Sequence, residues 1–364
     1  MKYLFLCIGL LSLFLFSQVS SEAEINQQPL KVGFILVGAR SDYGWNYAHD
    51  QGRLYLEKNM PGQVKTTVVE NVPESAEVER VMEKMIAQGN KVIFATSYGY
   101  LEPVLRVAAR HPDVIFMHAG SPNLQPMKNV GTYFGPQHDP NYVAGIIAGR
   151  MTKTNKIGYV GGHPVPPLLV CLNAFTLGAQ SVNPKVKVHI VWTNTWHDPV
   201  LEAEAAKSLI DQGVDVVDSH QDSGIAVVQT AEKNHIYCVA SHADLSHLAP
   251  HGWLTGSKWN WGPLYVKFVK SILDGTWKPE NIRVSSKEGV IQLSPIGKSV
   301  PIPVRNEALA VWQKVKDGRL VVYTGPIKDR NGILKILAGK KADNYYLETL
   351  DWVVPGIEGN IPKK

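Results

Sequence analysis

Lys31-Val32-Gly33-Phe34 returns later in the chain as Lys156-Ile157-Gly158-Tyr159, and Ile86-x-Gln88-Gly89-x-x-Val92 returns as Ile210-x-Gln212-Gly213-x-x-Val216. The two matches sit at offsets of 125 and 124 residues, so one structural unit is used twice. Around each copy the hydrophobic pattern alternates between strand and helix. Strand-like runs at 30–37, 65–70, 91–96 and 113–118 are separated by helical patterns at 45–59, 74–88 and 101–110. The alternation restarts with strands at 156–160, 186–192, 214–218 and 236–240, separated by helices at 166–179, 199–211 and 224–233. This predicts an α/β fold of two doubly wound parallel-sheet lobes, each sheet covered by helices on both faces. Ligands of such sheets gather outside the carboxyl ends of the strands, so the cleft between the lobes is the expected site.

Composition agrees with a large, cored protein. The 364 residues suit two domains. With 19% charged and 45% hydrophobic residues, and 31 Gly and 23 Pro scattered along the chain, disorder, collagen and coiled coil are excluded. A formal net charge of +5, spread without runs, gives no nucleic-acid surface.

Lys2 precedes an apolar run over 4–16, and Ser17-Gln18-Val19-Ser20-Ser21 follows with a V-x-S pattern. Residues 1–21 therefore read as a secretory signal peptide, which places the mature chain outside the cytoplasm, in the periplasm. The run falls short of the roughly 20 residues that span a bilayer. Cys7, early and preceded by Leu6, is not expected to accept a lipid. After cleavage only Cys171 and Cys238 remain; they are read as buried thiols, with one bridge as the alternative.

The loops after the strands name the candidate contacts. Gly38-Ala39-Arg40-Ser41-Asp42-Tyr43-Gly44-Trp45-Asn46 leaves the first strand and starts a helix, which puts Asp42, Trp45 and Asn46 at the cleft mouth. The competing roles are a helix cap for Asp42 and core packing for Trp45. Thr96-Ser97-Tyr98-Gly99 leaves the third strand and should face its repeat mate His220-Gln221-Asp222-Ser223, so Ser97, Tyr98 and Asp222 join the set. Trp196 closes a strand of the second half. Trp45 and Trp196 thus come from opposite lobes, an arrangement that suits a flat ring sandwiched on closure, with roughly 1–3 kcal/mol from each stacked platform.

These residues form an ordered set that resembles the basic membrane protein family, periplasmic substrate-binding proteins similar to purine nucleoside receptors that serve ABC transporters. The likeness runs through Asp42-x-x-Trp45-Asn46-x-x-x-x-x-Gly52, Ala108-x-x-His111-Pro112-Asp113-x-x-Phe116, Ala144-Gly145-x-x-Ala148-Gly149, Trp196-x-Asp198 and Gly325-Pro326-Ile327-Lys328-Asp329, nearly the whole mature chain. The resemblance implies a type I periplasmic-binding-protein fold whose lobes are joined by a three-segment hinge, with crossings near 134–140, 240–244 and 283–293. It divides the chain into an N-terminal lobe of 22–137 plus 244–288 and a C-terminal lobe of 138–243 plus 289–364. It further implies that Asp42 and Asn46 bind a base edge while Trp45 and Trp196 stack the ring. The nucleoside-binding members carry acids where this chain has Gly120 and His242, and a Lys near Trp259 and Asn260. With His242, Trp259 and Asn260 lining the place of a ribose and Trp259 filling it, a free nucleobase is expected, adenine before guanine, with a purine nucleoside as the alternative. A membrane permease is the implied partner, the chain is expected to be a monomer, and neither cofactor nor metal is called for.

Three other readings bear on the same residues. Asp42 and Asp222 across a cleft would suit acid–base chemistry in a secreted nucleoside hydrolase, but no G-x-S-x-G, H-E-x-x-H, C-x-x-C or P-loop is present. His235, His242, Asp244, His247 and His251 are close in sequence, yet their spacing is not that of a metal-binding helix face. A sugar binder would share both the two-lobe fold and the tryptophans.

Overall fold

The protein is described by a computed structural model that covers residues 28–361 except 121, 123, 124 and 126. The expected leader over 1–21 lies outside the described residues. The first half runs β1 (Leu30–Ile35), α1 (Trp45–Asn59), β2 (Val64–Val69), α2 (Glu77–Ala87), β3 (Val92–Ala95), α3 (Leu101–Arg110), β4 (Ile115–Ala119) and β5 (Val130–Phe134). The second runs α4 (His138–Met151), β6 (Lys156–Gly161), α5 (Pro166–Val182), β7 (Lys187–Trp192), α6 (Pro199–Asp211), β8 (Val216–His220), α7 (Ile225–Lys233), β9 (Tyr237–Ala240) and β10 (Trp253–Trp259). After these come α8 (Gly262–Leu273), β11 (Asn281–Arg283), β12 (Ile291–Leu293), α9 (Ile302–Lys316), β13 (Ile327–Lys328), β14 (Leu334–Ile336), α10 (Asn344–Glu348) and β15 (Ile357–Glu358).

Two sheets result, ordered β11-β5-β4-β3-β1-β2 and β12-β10-β9-β8-β6-β7-β15. All pairings in the first are parallel. In the second only β12 runs antiparallel, against β10. The repeated tetrapeptides occupy β1 and β6, each hydrogen-bonded on both sides within its sheet. Their lysines explain why the Gln-Gly pair recurs with them. Lys31 Nζ donates to the Gln88 carbonyl at 2.8 Å and Lys156 Nζ to the Gln212 carbonyl at 3.0 Å, capping the ends of α2 and α6. Each following glycine turns the chain with a positive φ, +89° at Gly89 and +85° at Gly213.

Each lobe buries its own core. Phe34 stacks on Phe94 at 4.7 Å in the first lobe, and Tyr159 meets Phe175 edge-on at 6.1 Å in the second. The Ala-Gly repeats of α4 serve its contact with α5. A Cβ on Gly145 would lie 2.0 Å from the Phe175 carbonyl oxygen, and one on Gly178 of α5 would lie 2.0 Å from that of Tyr142. Cys171 and Cys238 are free and buried, so no bridge joins them.

The chain passes between the sheets three times. It leaves β5 and enters α4, which packs on α5, over 135–137. The second crossing differs from the expected 240–244. β10 continues the second sheet beside β9, with Gly256 opposite Ala240, and the chain crosses only after Trp259 to reach α8, which packs on α1. Residues 244–259 therefore belong with the C-terminal sheet, not with the N-terminal lobe. The sequence Trp253-Leu254-Thr255-Gly256-Ser257 has a weak strand pattern, and Gly256 is there because a Cβ would meet the Ala240 carbonyl oxygen at 2.0 Å. The third crossing joins β11 in the first sheet to β12 in the second. Beyond 318 the tail returns to the C-terminal lobe, where α10 packs on α5 and β15 pairs with β7.

Candidate functional site

The loop between β1 and α1 is held by one side chain. Gly44, at the helix start, offers no capping group, and Asp42 supplies it instead. Its Oδ1 accepts from the Gly44 and Tyr47 amides, both at 2.8 Å, and its Oδ2 from the Asn46 amide at 3.0 Å and Asn46 Nδ2 at 2.8 Å. Burial raises the Asp42 pKa and these four bonds oppose the rise. Asp42 and Asn46, expected at the base edge, line no part of the cavity described next. Asn46 accepts from the Gly38 amide at 3.1 Å and donates to both Asp42 and Asp222, the latter at 3.1 Å. It is a tie between lobes, and the Asp222 carbonyl accepts from the Trp45 amide at 2.8 Å beside it. The cleft is closed at this edge.

Inside lies a cavity of about 500 Å³ of atom-free space, lined among others by Trp45, Ser97, Tyr98, Trp196, Asp222 and His242. Trp45 is locked from behind: its Nε1 donates to the Thr96 carbonyl at 2.6 Å, and its ring meets His49 at 4.4 Å and Trp261 at 6.0 Å, both edge-on. Trp196, from the opposite lobe, packs edge-on against His163 at 4.7 Å, and its buried Nε1 has no partner among the described residues. Ser97 lines the cavity but gives its hydroxyl to Glu74 at 2.6 Å.

Trp259 and Asn260 depart from expectation. Trp259 is buried behind the wall, stacked on Trp261 at 4.3 Å, and its Nε1 donates to His242 Nδ1 at 3.1 Å. It supports a wall residue and fills no ligand space. Asn260 is exposed at the second crossing, where its amide donates to the Val290 carbonyl at 2.7 Å. Both misplacements follow from β10 running in the second sheet.

The lining also includes His220, Gln221, Gln137 and Leu168, which were not among the candidates. Gln221 donates through Nε2 to Thr193 at 2.9 Å, while its buried Oε1 is unpartnered among the described residues. His220 bonds to the Tyr159 hydroxyl at 2.8 Å, and burial pushes it down to about 3.

The cavity holds a neutral imidazole beside a buried acid whose charged form burial disfavours. Burial, aided by His220 and His49, keeps His242 well below the usual histidine value. Burial, then the Asp42 charge, pushes Asp222 well above the usual carboxylate range. A second cavity adjoins the first, sharing Tyr98, Gly120, Phe134 and Gln137. Arg283 and Glu348 form an ion pair on its wall. Arg283 also donates to Thr132 and to the Ile282 and Gly120 carbonyls, so its guanidinium is already engaged. Among the described residues no group of metal-ligating side chains is found, and no helix is long and apolar enough to cross a membrane.

A two-lobed fold with an interlobe cavity can be set beside known proteins. The family described as ABC transporter substrate-binding protein PnrA-like, Bmp, matches residues 30–324. The chain belongs to the Bmp family. It is 41% identical over 337 residues to a purine-binding protein of Brucella abortus (strain 2308), covering 93% of this chain and 95% of that one. It is also 31% identical over 336 residues to a putative ABC transporter glucose-binding protein of Haloferax volcanii, covering 92% and 82%. Among solved structures, an ABC transporter solute-binding protein from Aeropyrum pernix K1 shares the fold with a TM-score of 0.70 at 18% identity, covering 80% of this chain and 93% of that chain. This Bmp family member is therefore an ABC transporter substrate-binding protein with a periplasmic-binding-protein fold.

Proposed function

We propose that this protein captures a purine nucleobase, adenine before guanine, between its lobes outside the cytoplasm, and presents it as a monomer to a membrane permease after loss of the leader over 1–21. The observation that supports this most is that Trp45 and Trp196, from opposite lobes, line one interlobe cavity together with Asp222, Gln221 and His242. The indoles offer faces to a flat ring. Asp222 and Gln221 offer polar atoms for its edge, and Gln221 Oε1 lacks a partner among the described residues. An acid-form Asp222 both donates and accepts, which matches the adjacent amine and ring nitrogen of adenine; guanine offers the same pairing at its amine and N3, so geometry decides between the two bases. The Brucella relative's name accords with a purine. Binding and release is the whole proposed chemistry, with Asp42 spent on capping a helix and not on catalysis.

Two specific observations favour other ligands. The cavity beside Gly120 leaves room for a substituent such as ribose, since Trp259 does not fill it. The name of the Haloferax relative points to glucose. Against ribose stands the replacement of charged acceptors by Gly120 and His242. Calorimetry with adenine, guanine, adenosine and glucose separates the readings. Tightest binding of adenine is expected, at micromolar or better, about 8 kcal/mol. Tighter adenosine or glucose binding would replace the nucleobase, and release of free base from adenosine would make the protein a hydrolase.

A further inference from the structure

His242 sits in a backbone conformation that few side chains adopt, φ +77°, just beyond β9. There its Nδ1 meets two groups, Trp259 Nε1 from behind the cavity wall at 3.1 Å and Nε2 of the lining residue Gln137 at 3.4 Å. An indole nitrogen can only donate, so Nδ1 must accept and cannot hold a proton. In the neutral ring the proton then belongs to Nε2. Among the described residues no acceptor is recorded for Nε2, while the ring lines the cavity. Gln137 is itself fixed, donating to Ser257 Oγ at 3.2 Å.

We infer that His242 is a specificity-determining hydrogen-bond donor, its Nε2–H fixed toward the cavity by Trp259 and Gln137, and that the ligand must place an in-plane acceptor nitrogen against it. This rests on the nucleobase reading above. Trp259 and Gln137 act through His242 as positioning residues. The burial that keeps the imidazole neutral prevents the ring from protonating Nδ1, which would set its proton against the indole N–H. A ligand that offers only donors at this place leaves Nε2–H unpaired and is rejected.

The test is a cycle between protein and ligand variants. Adenine, 1-deazaadenine, 3-deazaadenine and 7-deazaadenine are titrated into wild type and His242→Asn, a residue that tolerates positive φ. One deaza analogue is expected to bind wild type at least tenfold more weakly than adenine, and that penalty should shrink to under about twofold in the variant. An equal penalty in both proteins, or none in wild type while adenine binds, would overturn the assignment. Failure of wild type to bind adenine at all would instead remove the purine reading on which it rests. A second measurement needs no ligand. Nitrogen NMR of histidine-labelled protein should show His242 protonated at Nε2 alone, with Trp259→Phe mixing the two tautomers. A proton on Nδ1 in wild type would overturn the inference whether or not any variant folds.

Discussion

Trp196 is the cleaner of the two indoles to remove, because it is only half-buried and its ring contact is with His163. Trp196→Ala should keep the melting temperature of the ligand-free protein within a few degrees and weaken adenine binding by roughly 1–3 kcal/mol, about fivefold to 150-fold, by calorimetry. A variant that binds as tightly as wild type would show that the ring does not stack on it. Trp45→Ala is a poorer test, since it also strips packing from His49 and Trp261. At this scale the sequence located Trp45, Trp196, Tyr98, Asp222 and His242 on one cavity, because loops after parallel strands must face the cleft. The helix cap was one of the two roles open to Asp42, whereas the partners of the Asn46 and Trp259 side chains were not legible. Those atoms choose partners from other elements, 176 residues away for Asn46 and Asp222, and no local pattern encodes that distance.

Among the elements, β8 concentrates buried charge in the second sheet, with Asp218, His220 and then Asp222 along its end. Burial holds Asp218 at about 7, well above its ordinary value of 3.8, with the Ser219 amide opposing the rise. Between those values the folded chain keeps a proton that the unfolded chain releases, so Asp218 costs stability as pH rises through the window. Asp218→Asn does not titrate. Urea unfolding at several pH values should show the variant gaining on wild type from about pH 4 to pH 7, by up to a few kcal/mol, and no further above it. His220 acts with the opposite sign but is present in both proteins, so it cancels in the difference. A difference that stays flat with pH would place the Asp218 titration elsewhere. Element by element, the repeat made β1 to β4 and β6 to β9 legible, whereas β5 and β10 escaped, β10 because small and polar residues replace the β-branched ones where it lies against β9. The Ala-Gly spacing of α4 was visible as letters, and only the 2.0 Å clearance at Gly145 shows what it is for.

For the molecule as a whole, closure is written in backbone contacts. A Cβ on Gly44 would meet the Asp222 carbonyl oxygen at 1.7 Å, across the gap spanned by the Trp45 amide. Gly44→Ala should therefore fold but fail to shut. Small-angle scattering should show wild type contracting on adding adenine and the variant staying open, with affinity at least tenfold lower, because closure is stabilised by contacts made to both lobes at once. Contraction of both proteins alike would move the closing contact away from this loop. The direct measurement of the whole account is a crystal structure with adenine bound. The ring is expected between Trp45 and Trp196, with Asp222 and His242 in its plane; a ring bound elsewhere, or either indole turned away from it, would contradict the account.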